Sequence, residues 1–272
     1  MSEIICDVCM HHCHLQEGKT GMCRARRNVN GVNVCDNYGR LTSLAMDPIE
    51  KKPLYHFYPG SWILSAGSYG CNLSCPFCQN ASISMTDERT AYYREVSPEQ
   101  LAELVLGQED NLGIAFTYNE PMISYEYIID TARLIRPYDK KIVLVTNGCI
   151  SPRVLEELQE VTDAMNIDLK GDRQFYRELN GDYDTVRRTI EASCRKCHVE
   201  VTTLVIPGKN DTDAFIEEEA KWLASLDPDI VLHLSRYFPR YKYRIPATER
   251  NEIFRLTELA KKHLKHVYPG NV

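Results

Sequence analysis

The sequence predicts an α/β fold: a partial (β/α)6 TIM-like barrel, open at about three quarters of a circle, with a small N-terminal cysteine-rich segment. Three observations carry this prediction. Short apolar, β-rich runs alternate with helix-period patterns, and that alternation implies parallel strands joined by right-handed helical crossovers. Six such units occupy only part of a 272-residue chain, whereas a full eight-stranded barrel takes ~250 residues by itself. The first forty-odd residues break the pattern, being rich in cysteine, histidine and glycine. The expected division is a cysteine-rich segment over 1–46 and a barrel over 47–272.

The N-terminal segment places Cys6, Cys9, Cys13 and Cys23 at C-x2-C-x3-C-x9-C, with His11, His12 and His14 interleaved. Four thiols so close suffice for one tetrahedral zinc site or one complete iron–sulfur cluster. Either metal would staple a stretch too short for its own apolar core, and the spacing does not choose between them. Cys35 falls in an alternating run and reads as structural. Arg24, Arg26 and Arg27 form the densest basic patch and read as solvated surface. Residues 47–60 carry Pro48, Pro53 and Pro59 and read as an extended lead-in across the mouth or base of the barrel. Lys51 and Lys52 read as solvated.

Six strands are predicted at Trp62–Ala66, Gly113–Thr117, Ile142–Thr146, Ala164–Asp168, Val199–Val205 and Ile230–Leu234. Helices follow. Ser97-Pro98-Glu99-Gln100 is an N-cap with a first-turn proline and a capping-box glutamine, with Leu101, Leu104 and Val105 facing inward. Ile123–Leu134 is next. Ser151-Pro152 opens a helix with Val154, Leu155 and Leu158 inward. Tyr183–Arg195, Thr212–Leu226 and Thr248–Leu264 complete the set.

Composition narrows the function. Charged residues make up 26% and hydrophobic ones 43%, which suits a globular chain. The net charge of -6 and the lack of a long basic run argue against nucleic acid as a partner. No apolar run reaches the ~20 residues of a bilayer span, and the acidic start gives no secretory signal. Eleven cysteines in that setting point to metal chemistry in the reducing cytoplasm rather than to disulfides.

The centre of the chain's chemistry is Gly70-Cys71-Asn72-Leu73-Ser74-Cys75-Pro76-Phe77-Cys78. Three thiolates at C-x3-C-x2-C can hold three irons of a 4Fe–4S cube, leaving the fourth iron open to an outside ligand. The same spacing could line one face of a helix, but Gly70 and Pro76 oppose that. A zinc site would lack a local fourth ligand. The other polar strand ends, from Asn119-Glu120-Pro121 to Leu234-Ser235-Arg236-Tyr237, fall where barrel enzymes place their active sites.

The triad with its aromatic residue resembles the radical S-adenosylmethionine (SAM) superfamily. With the N-terminal cysteines, Asp47-Pro48-Ile49-Glu50-Lys51-Lys52-Pro53-Leu54 and Thr117-Tyr118-Asn119-Glu120-Pro121, the chain is most similar to relatives of pyruvate formate-lyase activating enzyme, and among them to the radical SAM component of the AmmeMemoRadiSam system. The resemblance implies that Cys71, Cys75 and Cys78 hold the cluster. Reductive cleavage of SAM to methionine and a 5′-deoxyadenosyl radical would follow, with hydrogen abstraction from an unidentified substrate. It implies SAM contacts for Phe77, Asn119, Glu120, Thr146, Asp168 and Lys170, and an electron donor such as flavodoxin or ferredoxin. Two departures stand out. Val145 occupies the place of an acidic cation ligand, and Tyr237 that of a SAM-contacting histidine, with His233 inside a strand. The alternative reading is a glycyl radical enzyme activase acting on a partner protein. Cys149, Cys194 and Cys197 have no assigned role.

Overall fold

The computed structural model describes residues 3–272. The N-terminal segment is built of very short elements: β1 (Ile4–Ile5), β2 (His14–Leu15), the hairpin of β3 (Arg26–Val29) and β4 (Val32–Cys35), and β5 (Arg40–Leu41). The next strand, β6 (Ser43–Pro48), spans the expected division at 46/47 and already belongs to the main sheet.

From there the chain alternates: β7 (Trp62–Gly67), α1 (Ala81–Ser84), β8 (Arg94–Glu95), α2 (Pro98–Leu106), β9 (Asn111–Phe116), α3 (Tyr125–Ile135), β10 (Lys141–Thr146), α4 (Pro152–Gln159), β11 (Ala164–Asp168), α5 (Arg173–Glu178), α6 (Tyr183–Ser193), β12 (His198–Val205), α7 (Asp213–Leu226), β13 (Val231–Arg236), α8 (Arg250–Ala260) and β14 (His266–Gly270). The main sheet runs β14-β13-β12-β11-β10-β9-β7-β6. All neighbours in it are parallel except β6, which runs antiparallel to β7. The six predicted strands are its centre. β6 and β14 are additional edges, hidden in the sequence because neither carries a clean apolar run.

The expected cap on α2 is present in full: Ser97 Oγ accepts the Gln100 N–H while Gln100 Oε1 accepts the Ser97 N–H. Leu101 and Val105 are buried as expected, but Leu104 is exposed, because Ala102 takes the inward position beside Leu101. The helix expected from Ile123 begins as a 3-10 turn, Pro121–Ser124, and becomes α-helical at Tyr125.

The lead-in after β6 takes the base of the barrel, at the N-terminal ends of the strands. Ile49, Leu54 and Phe57 pack there with Ile63, Ala115, Val143 and Ala164. Burying such side chains stabilises by about 1.5–3 kcal/mol each. Polar contacts fix the crossing: Pro53 O accepts Asn166 Nδ2 at 2.8 Å, and the Tyr55 and His56 N–H groups donate to Glu200 at 2.9 and 2.7 Å. His56 Nε2 then meets Tyr268 Oη of the far edge strand β14 at 2.7 Å. One segment thus links the β6 edge to the β14 edge beneath the sheet.

Two basic groups depart from the solvated reading. Arg26 is 1% exposed; it donates to Ile123 O at 2.6 Å and forks onto the Glu126 carboxylate. Arg24 donates to Cys71 O at 3.2 Å, and Arg27 pairs with Asp36 at 2.8 Å. Lys52 is 2% exposed and pairs with Asp47 at 2.8 Å. Charge alone reads as surface; here a carboxylate at hydrogen-bonding distance makes burial tolerable. Among the described residues no helix is long and apolar enough to cross a membrane.

Candidate active site at the strand ends

The loop after β7 carries the three cysteines, and it is not helical there. Gly70 starts it at φ +86°, where a Cβ would stand 2.5 Å from Cys23 O. Only glycine accepts both that conformation and that approach. The loop is pinned on two sides. The N-terminal segment holds it through Cys71 N–H to Cys23 O (3.1 Å), Arg24 to Cys71 O, and His11 Nε2 to Asn72 O (2.7 Å). The barrel holds it through Ser74 N–H to Leu179 O (2.9 Å) and Asn72 Nδ2 to Cys149 O (2.7 Å).

Cys71, Cys75 and Cys78 open into one cavity of about 490 Å³, which Phe77, Asn119, Glu120, Thr146, Asp168 and Lys170 also line. All nine central residues singled out from the sequence therefore share one space. A larger cavity of about 630 Å³ lies elsewhere, between α4, α6 and the N-terminal segment. It contains none of these groups, and size alone does not make it the reactive one.

Each polar group has a definite setting. Glu120 is buried. Its carboxylate accepts from the Met122 N–H at 3.0 Å, Thr146 Oγ1 at 2.7 Å and the Asn147 N–H at 2.8 Å. It thereby caps the 3-10 turn and ties the end of β9 to the end of β10. Burial pushes its pKa up to about 7, against the pull of those donors. Asn119 brackets the loop below it: Oδ1 accepts the Ser68 N–H at 3.0 Å, and Nδ2 donates to Tyr69 O and Gly70 O. Lys170 Nζ stands 2.8 Å from Asp168 Oδ2. Burial pulls the lysine pKa down, but Asp168 and the thiols of Cys75 and Cys71 outweigh it, so it stays a cation. Phe77 is buried, stacked on Phe175 with ring centroids 5.8 Å apart.

The thiols themselves are shifted. Burial, then Glu120, drives Cys71 well above its ordinary value, and burial takes Cys75 up to about 11 against the pull of Lys170. The Cys71 sulfur accepts from the Leu73 N–H at 3.4 Å and from Asn147 Nδ2 at 3.6 Å.

Several contributors escaped the sequence reading. Asn147 Nδ2 also donates to Asn72 Oδ1 at 2.9 Å, joining the cysteine loop to the end of β10. Tyr118, at φ +72°, donates to Asp47 Oδ2 at 2.7 Å, the oxygen that pairs with Lys52. The lead-in motif was visible, but its partner at position 118 was not. His233 lines the same cavity and meets Glu200 at 2.6 Å. Burial opposes ionisation of Glu200, yet His198, His233 and two backbone N–H groups hold its pKa down to about 2. Tyr237 is buried and lies outside the cavity lining.

The N-terminal thiols lie near one another: burial, with the charges of Cys23 and Cys6 adding, takes Cys9 up to about 12. Among the described residues no three His, Cys, Asp or Glu side chains are grouped to hold a single metal ion. That gives no support to a preformed zinc site at Cys6, Cys9, Cys13 and Cys23.

Residues 66–223 match the Radical SAM superfamily, more than half of the chain. The chain belongs to the radical SAM superfamily. An uncharacterized protein of Methanocaldococcus jannaschii is 37% identical over 288 residues, covering 100% of this chain and 82% of the relative. A putative glycyl-radical enzyme activating enzyme of the same organism is 25% identical, covering 73% of this chain and 85% of its own length. Among solved structures, a radical SAM methyltransferase from Sphaerobacter thermophilus superposes with a TM-score of 0.58 at 16% identity, over 78% of this chain and 67% of the other. A domain of pyruvate-formate lyase-activating enzyme from Bacteroides vulgatus gives 0.51 at 18% identity, over 58% and 99%. These two share the fold.

Radical SAM proteins are enzymes that employ a 4Fe–4S cluster and SAM, and the residues present here fit that pair. The donor set is three thiols with no fourth, opening on one cavity. One sulfur already accepts two N–H donors, an arrangement that favours a thiolate bound to iron. A cube spreads its ligands over several metal atoms, so the lack of a tight single-ion group is no obstacle at the Cys71 triad.

Proposed function

We propose that Cys71, Cys75 and Cys78 hold the cluster of a SAM-cleaving enzyme whose substrate enters the same cavity. The observation that carries this reading is the convergence of the three thiols with Glu120, Asp168 and Lys170. When bound and reduced, the cluster and SAM together supply an electron to the sulfonium and yield methionine and a 5′-deoxyadenosyl radical that abstracts hydrogen from the substrate.

The chain's own residues bind and orient. Lys170, kept cationic, neutralises a carboxylate on SAM, and Asp168 fixes the ammonium of Lys170 in place. Phe77, braced by Phe175, walls the adenine side. Asn119, Glu120 and Thr146 set the rim. Both Glu120 oxygens are already engaged, so Glu120 acts first by shaping the rim. Packing around Leu73 and Phe77 keeps water from the reacting atoms, as radical chemistry requires.

The preferred substrate reading is that of an AmmeMemoRadiSam-type enzyme with an unidentified substrate, acting in the cytoplasm with a donor such as flavodoxin or ferredoxin. The 25% identity to a putative glycyl-radical enzyme activating enzyme keeps a second reading alive, in which the substrate is a glycine on a partner protein. The cysteine-rich segment ahead of β6 braces the barrel in either case.

The test is anaerobic incubation of reconstituted protein with dithionite and SAM, with products read by mass spectrometry. 5′-Deoxyadenosine from the wild type and none from Cys71→Ala is the expected result. Intact SAM over a proven cluster, without SAM binding in calorimetry, would overturn the reading. Iron or zinc persisting in Cys71→Ala would point to Cys6, Cys9, Cys13 and Cys23 as a second metal site.

A further inference from the structure

The loop between β13 and α8 reads Arg236-Tyr237-Phe238-Pro239-Arg240-Tyr241-Lys242-Tyr243-Arg244. The stretch from Arg236, the last residue of β13, to Arg244 carries four cations and no carboxylate, the loop's one carboxylate being Glu249 beside α8, in a chain whose net charge is -6. Arg240, Lys242 and Arg244 are exposed. Among the described residues they have no carboxylate partner, unlike most cations on this surface. Phe238 and Tyr241, 38% and 39% exposed, add aromatic surface among them. Such a concentration of unneutralised charge beside exposed rings is the composition of a docking surface for an acidic protein.

The loop is fastened to the cluster loop. The Lys242 and Tyr243 N–H groups both donate to Pro76 O, at 2.8 and 3.1 Å. The Tyr243 ring lies 5.6 Å from that of Phe77. Pro76 and Phe77 are the two residues between Cys75 and Cys78. None of the cationic side chains lines the cavity of the three thiols. An acidic substrate held here would sit outside the reaction space, whereas an electron carrier needs only to approach the cysteine loop from outside.

We infer that Arg240, Lys242 and Arg244 form the docking surface for a small acidic one-electron carrier protein, which reduces the cluster across the Pro76–Phe77 backbone. This rests on the radical SAM reading of the cavity. The carrier is oxidised by one electron as the cluster gains it, and no atom is transferred.

The experiment compares cluster reduction in the holoenzyme by an acidic reduced flavodoxin and by dithionite, followed by visible bleaching and by EPR. The variants are Arg240→Glu/Lys242→Glu/Arg244→Glu together, and the milder Arg240→Gln/Lys242→Gln/Arg244→Gln should the first fail to fold. Reduction by flavodoxin should slow about tenfold or more in the charge-reversed protein and lose its sensitivity to salt, while reduction by dithionite is unchanged. Flavodoxin reducing both proteins at one rate would overturn the inference. So would equal slowing with dithionite, which would mark the loop as structural, or inhibition of dithionite-driven turnover by polyglutamate, which would mark it as a substrate collector. Failure of the radical SAM reading shows separately, as the absence of 5′-deoxyadenosine from wild type with dithionite.

Discussion

Glu120 and Asn147 are joined by a 2.8 Å bond from the Asn147 N–H to the Glu120 carboxylate, and Asn147 in turn donates to the Cys71 sulfur. A rim carboxylate is thus one residue away from the first thiol. Glu120→Gln turns one acceptor oxygen into a donor facing buried donors. The expected cost is about 1–3 kcal/mol of stability for the orphaned group, with 5′-deoxyadenosine formation reduced about tenfold or more because the Asn147 side chain loses its register. Urea unfolding and product assay check both. A variant of wild-type stability would show that these donors find water instead.

The buried Lys52–Asp47–Tyr118 group makes a contrast with its neighbour. Lys51 also reaches Asp47, at 3.3 Å, but its side chain is 67% exposed. Lys52→Met leaves Asp47 without its buried partner and should cost about 3–5 kcal/mol. Lys51→Met should cost about 0–1 kcal/mol. Adding Asp47→Asn to Lys52→Met should restore part of the loss. Equal effects of the two lysine variants in urea melts would remove this network from the account of how Tyr118 is held at positive φ.

Glu219 gives a pH signature away from the cysteines. It is buried against Thr203, whose hydroxyl donates to Leu169 O at 2.9 Å and also contacts the Glu219 carboxyl. One hydroxyl proton serves only one of these contacts, so the other calls for a proton on Glu219. Burial pushes its pKa from 4.5 up to about 8, with Thr203 opposing weakly. Between those values the native state holds a proton that the unfolded chain has released. Stability from this group therefore falls as pH rises, by up to about 1.4 kcal/mol per pH unit. Glu219→Gln removes the slope, so the variant gains on wild type from about pH 5 to pH 8. Parallel stability curves over that range would refute the assignment.

Cys9 is buried and bridges to Ile150, the start of the connection into α4. Cys9→Ala should lower stability by about 1–2 kcal/mol through lost packing while leaving iron at the Cys71 triad. Iron analysis and a urea melt check the two effects separately: loss of the triad's iron would show that the N-terminal thiols take part in holding it.

Much of this was legible because local chemistry and global position agreed. The Cys71 triad, the Ser97 capping box and the six strands announce themselves within a few residues. Leu104 failed because helix periodicity gives a face without its exact width. Arg26 and Lys52 failed because burial of a cation depends on a carboxylate distant in sequence, Glu126 for Arg26, or on a ring such as Tyr118 packed over Lys52. β6 and β14 are edge strands whose apolar pattern is diluted by their one exposed side. The engagement of both Glu120 oxygens was invisible, since two of its three donors, Thr146 and the Asn147 N–H, lie beyond α3 in the chain.

The bonds that shape the cysteine loop come from Cys23, Arg24, His11 and Leu179, and none of them passes through iron. The polypeptide itself therefore supplies hydrogen bonds that hold that loop from both sides. On the proposed reading, a cluster would enter a loop that the chain already braces rather than nucleate the fold. Chelators should strip this protein of its colour without melting it, and the emptied chain should accept a new cluster without refolding.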